Sequence, residues 1–297
     1  MLKLRLTIGL PLAFLVLLAI FWPGEAGAMI FAGLAGVGLY AAFGELSSMI
    51  ESTGVRGPHR SLKFFTIALL LVIIYSPLAA TPIDCLVVIW PAELLLLTAI
   101  VLFCIGHALR AKDFKTGLNQ AAIALGGLVF VYGSLNFGVK LYFSGGLESN
   151  GRYLLLFAAA TTKLGDVGAY ACGLLTSRSS RGNHKITPRL SPKKSWEGLA
   201  GGVLTSIIAA LIIYGLWGGK MTFADQNVLG LWSAVLLGMS FGILGFFGDI
   251  SESVIKRTAK YDDSGDIPGL GGVLDMVDSM IFVLPVFYAF IAARVMF

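Results

Sequence analysis

Acidic and basic side chains gather in two polar stretches of this chain. The later one runs from Asp249 to Asp278, DISESVIKRTAKYDDSGDIPGLGGVLDMVD. Asp249 ends one apolar run, Asp275 and Asp278 open the next, and Asp262, Asp263 and Asp266 lie between. Carboxylates at the ends of membrane helices are ready ligands for a hard divalent cation. Mg²⁺ typically takes one or two carboxylates and completes its shell with phosphate oxygens and water. Asp275 and Asp278 are three apart, so on a helix they share a face. Lys256 and Arg257 place positive charge beside these acids. Acids for metal and bases for phosphate are what phosphoryl transfer needs. Pro268-Gly269-Leu270-Gly271-Gly272 precedes the next apolar run. Such close glycines let backbone N–H groups approach phosphate oxygens. The charges alone would also suit a solvated loop. The glycines, set between Lys256-Arg257 and Asp275, favour the site.

The earlier stretch is Thr176 to Glu197, TSRSSRGNHKITPRLSPKKSWE. Pro192 is suited to the first position of the next helix, with Ser191 as its cap. Lys193 and Lys194 then fall in the first turn, where they oppose the helix dipole. A bound anion would explain them, as would simple anchoring on the cationic side of a membrane. Within an apolar run, Lys163 and Asp166 are three apart. Ionisable residues inside membrane helices are rare and face a polar interior. These two either pair with each other or complete the metal site. The chain has only three histidines, His59, His107 and His184, and no Ser/His/Asp or Cys/His constellation assembles from them. That suits a phosphate monoester nucleophile, which is largely ionised near neutral pH (second pKa about 6) and needs no general base.

The rest of the sequence is built to hold these stretches at a bilayer. Of its 297 residues, 57% are hydrophobic and 13% charged, and the mean hydropathy is +0.84. A soluble domain carries roughly 25% charge, so lipid must act as solvent for this chain. The fold class expected is all-α and polytopic. Nine apolar stretches of spanning length occur, at about 5–22, 28–45, 63–81, 87–108, 118–138, 153–175, 198–216, 229–249 and 278–295. A short turn containing Pro82 separates the third from the fourth. The first is read as a retained membrane helix, Ala26-Gly27-Ala28 being only a weak cleavage motif. With the N-terminus inside, 17 of the 22 Lys and Arg residues fall on the inner side and 4 on the outer. That asymmetry follows the positive-inside rule and puts both polar stretches in the cytoplasm. The organisation expected is a set of N-terminal membrane helices over 1–150. A catalytic membrane region over 151–297 follows, with cytoplasmic loops 176–197 and 250–277. Cys85, Cys104 and Cys172 form no CxxC pair and read as small apolar fillers.

These segments resemble the phosphatidate cytidylyltransferase (CDP-diglyceride synthetase) family. Ser253, Lys256, Arg257, Asp263, Gly265, Pro268, Gly269, Gly271, Gly272, Asp275 and Asp278 match its signature. Gly248-Asp249 with Glu252-Ser253 is similar to its Gly-Asp-x-x-Glu-Ser. Asp166-Val167-Gly168-Ala169-Tyr170 resembles its Asp-Thr-Gly-Ala-Tyr, and Ser191 to Gly198 resembles its Ser-Pro-Lys-Lys-Thr-x-Glu-Gly. The motifs recur in order over about 160–297, while the first half resembles the family only in being apolar helices. Asp262 stands where the family usually has Lys, Leu270 where it has His and Met276 where it has Arg. The Gly265-to-Pro268 stretch is one residue short. Lys260 is placed to take over from the missing Lys.

The resemblance implies a membrane nucleotidyltransferase that converts CTP and phosphatidate into CDP-diacylglycerol and pyrophosphate. It implies Mg²⁺, with room for a second metal ion, held by Asp249 and Asp275 first and by Asp278 and Asp166 second. Asp249, Asp275, Lys256 and Arg257 are the catalytic set. Lys193, Lys194, Ser191, Arg189, Ser253, Asp263, Gly271 and Gly272 bind substrate. CTP, phosphatidate and membrane lipid are the partners, with no nucleic acid, and the family implies a homodimer. A bacterial inner membrane is the location expected. The departures leave room for a related CTP-dependent kinase or transferase acting on another lipid, for an inactive paralogue, or for a transporter using Lys163 and Asp166. A CDP-alcohol phosphotransferase is disfavoured because no Asp-Gly dipeptide occurs.

Overall fold

A computed structural model describes residues 2–22, 24–79, 90–144, 150–178, 182–223, 226–267 and 271–296. Pro82, Cys85, Arg181, Pro268, Gly269 and Leu270 lie outside the described residues. The chain is α-helical. The long helices are α1 (Leu2–Phe21), α2 (Glu25–Ser52), α3 (His59–Ala79), α4 (Trp90–Leu109), α5 (Phe114–Tyr142), α6 (Gly151–Ser177), α7 (Trp196–Trp217) and α8 (Leu231–Ala259). A short α9 (Val273–Val277) precedes α10 (Met280–Met296). Over the described residues, the nine apolar stretches fall on α1 to α8 and α10. Helix is the expected form, because lipid offers backbone groups no hydrogen-bond partner. Five helical segments are long and apolar enough to cross a membrane: Glu25–Ser52, Ala92–Leu109, Phe114–Tyr142, Trp196–Lys220 and Leu231–Ala259. The chain is an integral membrane protein.

Both polar stretches are more ordered than loops. Ser191 does not cap a helix that starts at Pro192. Instead β1 (Lys185–Thr187) and β2 (Ser191–Ser195) form an antiparallel hairpin, with Lys185 opposite Ser195 and Thr187 opposite Ser191. The hairpin uses the backbone hydrogen bonds of this segment, and the Trp196 N–H closes onto the His184 carbonyl at 3.0 Å. The cap of α7 is therefore Ser195, whose hydroxyl accepts the Gly198 N–H at 3.1 Å. Lys193 and Lys194 lie on a strand, so the conflict with the helix dipole disappears. The later stretch is also corrected. Helix α8 continues ten residues beyond Asp249 to Ala259, so Ser253, Lys256 and Arg257 are helical. Lys256 pairs with Glu252 one turn earlier at 2.5 Å. The helix stops where Lys260 turns left-handed, with φ 62°. A second small hairpin, β3 (Thr222–Phe223) with β4 (Gln226–Asn227), joins α7 to α8.

The chain divides into two compact units. The first comprises Met1–Glu148 with Thr258–Met276. Here Tyr142 stacks on Phe31 with ring centroids 3.9 Å apart, and its hydroxyl donates to the Ala19 carbonyl at 2.5 Å. A polar knot ties α4 to α5. Glu93 accepts from Tyr132 Oη at 3.0 Å, Asn136 Nδ2 at 3.1 Å and Lys140 Nζ at 2.8 Å. Asp113 caps α5 by accepting the Thr116 N–H at 2.9 Å. The bonds from the Thr116 side chain and backbone hold its carboxyl below the usual carboxylate range.

The second unit comprises Ser149–Arg257 with Val277–Phe297. Phe157 of α6, Phe241 of α8 and Phe287 of α10 are fully buried against one another, with centroids 5.3 to 5.9 Å apart. Glycines set the spacing of α6 and α7. A Cβ at Gly165 would meet Ser206 Oγ, one at Gly168 would meet the Thr205 side chain, and one at Gly201 would meet Cys172. Small residues at such crossings let membrane helices pack by direct backbone approach. Gly201→Val is therefore expected to destabilise the protein by about 1–3 kcal/mol through overpacking. Unfolding in mixed detergent micelles would measure it. Adding Cys172→Ala should recover part of the loss, because it removes the sulfur that the new side chain would strike. Cys104 and Cys172 are free thiols, consistent with packing roles.

Candidate active site

In the second unit, three carboxylates from separate segments meet two lysines. Helix α6 presents Lys163 and Asp166 on successive turns, α8 presents Asp249, and the turn before α10 presents Asp278 and Ser279. Lys163 Nζ donates to Ser279 Oγ at 2.7 Å and lies 3.5 Å from Asp166 and 3.7 Å from Asp278. Lys163 thus links Asp166 to Asp278, beyond a simple pair along one helix. Strand β2 delivers Lys194, whose ammonium lies 3.3 Å from Asp249. The same ammonium donates to the Phe246 carbonyl at 3.2 Å and stands 4.7 Å over the Phe246 ring. Asp278 stands close enough to Asp249 for the two carboxyls to repel each other. The glycine of Gly248-Asp249 has a steric reason, since a Cβ there would strike the Asp278 carbonyl. Asp278 lies in the turn ahead of α10. Burial first, and the neighbouring Asp249 second, push its carboxyl up to about 7, against the pull of Lys163.

Beside this cluster lies a cavity of about 270 Å³, lined by Asp166, Tyr170, Ser191, Lys193, Lys194, Phe246 and Asp249. The lining combines two acids, two ammonium groups and two aromatic rings. Lys194 is half-buried, while Lys193 is exposed. Among the described residues, no three His, Cys, Asp or Glu side chains are already arranged around a metal position. Asp249 and Asp278, two carboxyls close enough to repel each other, suit Mg²⁺. That ion takes few protein ligands and draws the rest from phosphate and water.

The remaining sequence-predicted residues are placed as follows. Asp275, Asp263, Gly271 and Gly272 belong to the first unit. Asp275 Oδ2 accepts the Gly272 N–H at 2.7 Å, the Ser264 N–H at 2.9 Å and the Ser264 hydroxyl at 3.0 Å. The Gly272 donor that the sequence pattern offers to phosphate is thus engaged by Asp275. Gly271 takes φ 81° and exchanges backbone hydrogen bonds with Ile267 at 2.7 and 3.1 Å, closing the loop. Ser253, Lys256 and Arg257 ride on α8, and Arg189 is exposed in the turn of the β1–β2 hairpin. The sequence pattern did not single out Ser279, Phe246, Ser264 or Glu45. Glu45 accepts the Val273 and Leu274 N–H groups at 2.8 and 2.9 Å and the Ser264 hydroxyl at 2.9 Å. A carboxylate at the end of an apolar stretch was the one signal that pointed to Glu45.

Comparison with known proteins agrees with this arrangement. The chain matches the Cytidylyltransferase family over residues 3–294, so the likeness extends through the first half as well as the second. It is 44% identical over 142 residues to the uncharacterized protein YnbB of Escherichia coli, covering 48% of this chain and 43% of that protein. It is 38% identical over 139 residues to a phosphatidate cytidylyltransferase of Chlamydia muridarum, covering 47% and 43%. It is 32% identical over 221 residues to a phosphatidate cytidylyltransferase of Staphylococcus haemolyticus, covering 73% and 75%. The chain thus spans less than half the length of the first two relatives and three quarters of the third. With the match running through nearly every residue, and with acids and lysines converging on one cavity, the chain belongs to the cytidylyltransferase family.

Proposed function

We propose that this protein transfers the cytidylyl group of CTP to phosphatidate, giving CDP-diacylglycerol and pyrophosphate. The observation that carries the reading is the meeting of Asp166, Asp249, Lys193 and Lys194 around one cavity, with Asp278 beside Asp249. Lys193 and Lys194 take phosphate oxygens of CTP or of the lipid, and Ser191 adds a hydroxyl to the same lining. A phosphatidate oxygen attacks the α-phosphorus of CTP, the bond from that phosphorus to the bridging oxygen breaks, and pyrophosphate leaves. The phosphate monoester is its own ionised nucleophile, so no protein base is required. Asp249 and Asp278 would hold Mg²⁺, with Asp166 as a further ligand, and the ion would supply charge to offset that of the phosphate oxygens. The match of Asp275 to the family signature supports a part for it in turnover as well. The Lys and Arg asymmetry supports a site on the cytoplasmic side of a bacterial inner membrane. The family resemblance also supports a homodimer.

The test is to supply purified protein with CTP and phosphatidate. CDP-diacylglycerol and pyrophosphate are expected in equal amounts, and chelation of Mg²⁺ should stop both. A panel of other lipid acceptors tests substrate choice. Release of CDP with phosphorylation of a lipid alcohol, in place of these products, would identify a kinase and overturn the reading.

A further inference from the structure

Helix α2 contributes a carboxylate to the glycine loop that the sequence motifs do not include. Glu45 Oε1 accepts the Val273 N–H at 2.8 Å, and Oε2 accepts the Leu274 N–H at 2.9 Å and the Ser264 hydroxyl at 2.9 Å. The Ser264 hydroxyl also lies 3.0 Å from Asp275 Oδ2 and accepts the Asp275 N–H at 3.2 Å. Glu45 and Asp275 therefore grip the same serine from two sides, and between them they engage the backbone N–H groups of Ser264, Gly272, Val273 and Leu274. All these groups lie within the first unit.

The glycines record the same fit. A Cβ at Gly265 would stand 2.6 Å from Glu45 Oε1, and a Cβ at Gly272 would strike both Glu45 Oε2 and Ser264 Oγ. Gly265 and Gly272 thus leave room for a carboxylate that arrives from α2, more than two hundred residues away in sequence. Charge-assisted bonds from backbone N–H to carboxylate are among the stronger hydrogen bonds in proteins, and Ser264 is buried at 3% exposure.

We infer that Glu45 is a positioning residue, which fixes the backbone at Ser264 and at 272–275 and through Ser264 holds Asp275 in place. The inference rests on the proposed function in giving Asp275 a part in turnover. The hydrogen-bond role of Glu45 stands apart from that function.

The experiment pairs hydrogen exchange with kinetics for the full-length protein in detergent, comparing wild type with Glu45→Gln, Glu45→Asp and Ser264→Ala. A glutamine has one acceptor oxygen and turns an NH₂ group toward the N–H donors. Amides in 264–275 of Glu45→Gln are expected to exchange about tenfold to a hundredfold faster, the equivalent of one charged hydrogen bond, with exchange in α6 to α8 unchanged. The maximal rate of CDP-diacylglycerol formation should fall by a similar factor, with the CTP KM within about twofold. Glu45→Asp should recover part of both, and Ser264→Ala should reproduce both more weakly. Unaltered exchange in 264–275 overturns the positioning role, and so does a loss confined to KM. If Glu45→Gln does not fold, Ser264→Ala decides by the same two readings. If the wild type makes no CDP-diacylglycerol at all, the proposed function fails, while the exchange result still decides what Glu45 does to the loop.

Discussion

Asp249→Asn is expected to lower CDP-diacylglycerol formation by about a hundredfold to a thousandfold, the loss typical when one charge-stabilising group leaves a preorganised site. The substitution keeps the shape of the side chain and removes its charge. Asp249 is the carboxylate that links the two parts of the cluster, since it faces Lys194 at 3.3 Å and stands beside Asp278. Without it, the proposed site would lose one of the two carboxylates assigned to hold Mg²⁺. Folding should not suffer. Three carboxylates, Asp166, Asp249 and Asp278, are balanced by two ammonium groups, Lys163 and Lys194. Neutralising one acid relieves repulsion, so the unfolding midpoint in the absence of Mg²⁺ should hold or rise, as active sites trade stability for function. Initial rates across a Mg²⁺ titration, measured beside a thermal melt, separate these effects. Turnover within about threefold of wild type would remove Asp249 from the chemistry.

Lys140→Met should cost about 3–5 kcal/mol of folding free energy, because it breaks a buried ion pair and leaves one charge without its partner. Glu93 is only 8% exposed, and Lys140 Nζ reaches both of its oxygens, at 3.1 and 2.8 Å. Tyr132, Asn136 and Lys140 recur at four-residue intervals on α5, so a single helical stripe meets the first turn of α4. Removing the ammonium leaves only Tyr132 and Asn136 as partners of a Glu93 side chain that is largely buried. Glu93→Leu with Lys140→Met should recover most of the loss, since a well-packed apolar pair replaces a buried ion pair at little net cost. Unfolding by titrated denaturing detergent gives both values. A double variant no more stable than Lys140→Met would show that packing, not charge, sets the cost.

Sequence and structure divide the credit along physical lines. Hydropathy locates the long helices because lipid imposes a single solution on the backbone, and the apolar stretches of the sequence coincide with α1 to α8 and α10. Helix ends are set more locally. The hairpin at Lys185–Ser195 and the run of α8 to Ala259 depend on pairing with neighbours, on an i,i+4 ion pair and on a left-handed stop at Lys260, none of which hydropathy records. Ser195 displaced Ser191 as the cap because only the residue after which the strand ends can turn its hydroxyl onto a free N–H.

The candidate site divides the same way. The residues proposed to hold metal and phosphate, Asp166, Asp249, Asp278, Lys193 and Lys194, are legible from charge set against an apolar background. That background, the all-α membrane class and the likeness to cytidylyltransferases are what the chain determines by its letters alone. Which acids and bases meet is a matter of three-dimensional approach. Only the fold decided that Lys163 joins Asp166 to Asp278, that Lys194 crosses to Asp249, and that Glu45 closes on Gly272 and Ser264. Helical periodicity relates residues three or four apart, and these partners, apart from Lys163 and Asp166, lie tens to hundreds of positions away. Backbone approach through glycine, not spacing in sequence, brings them together.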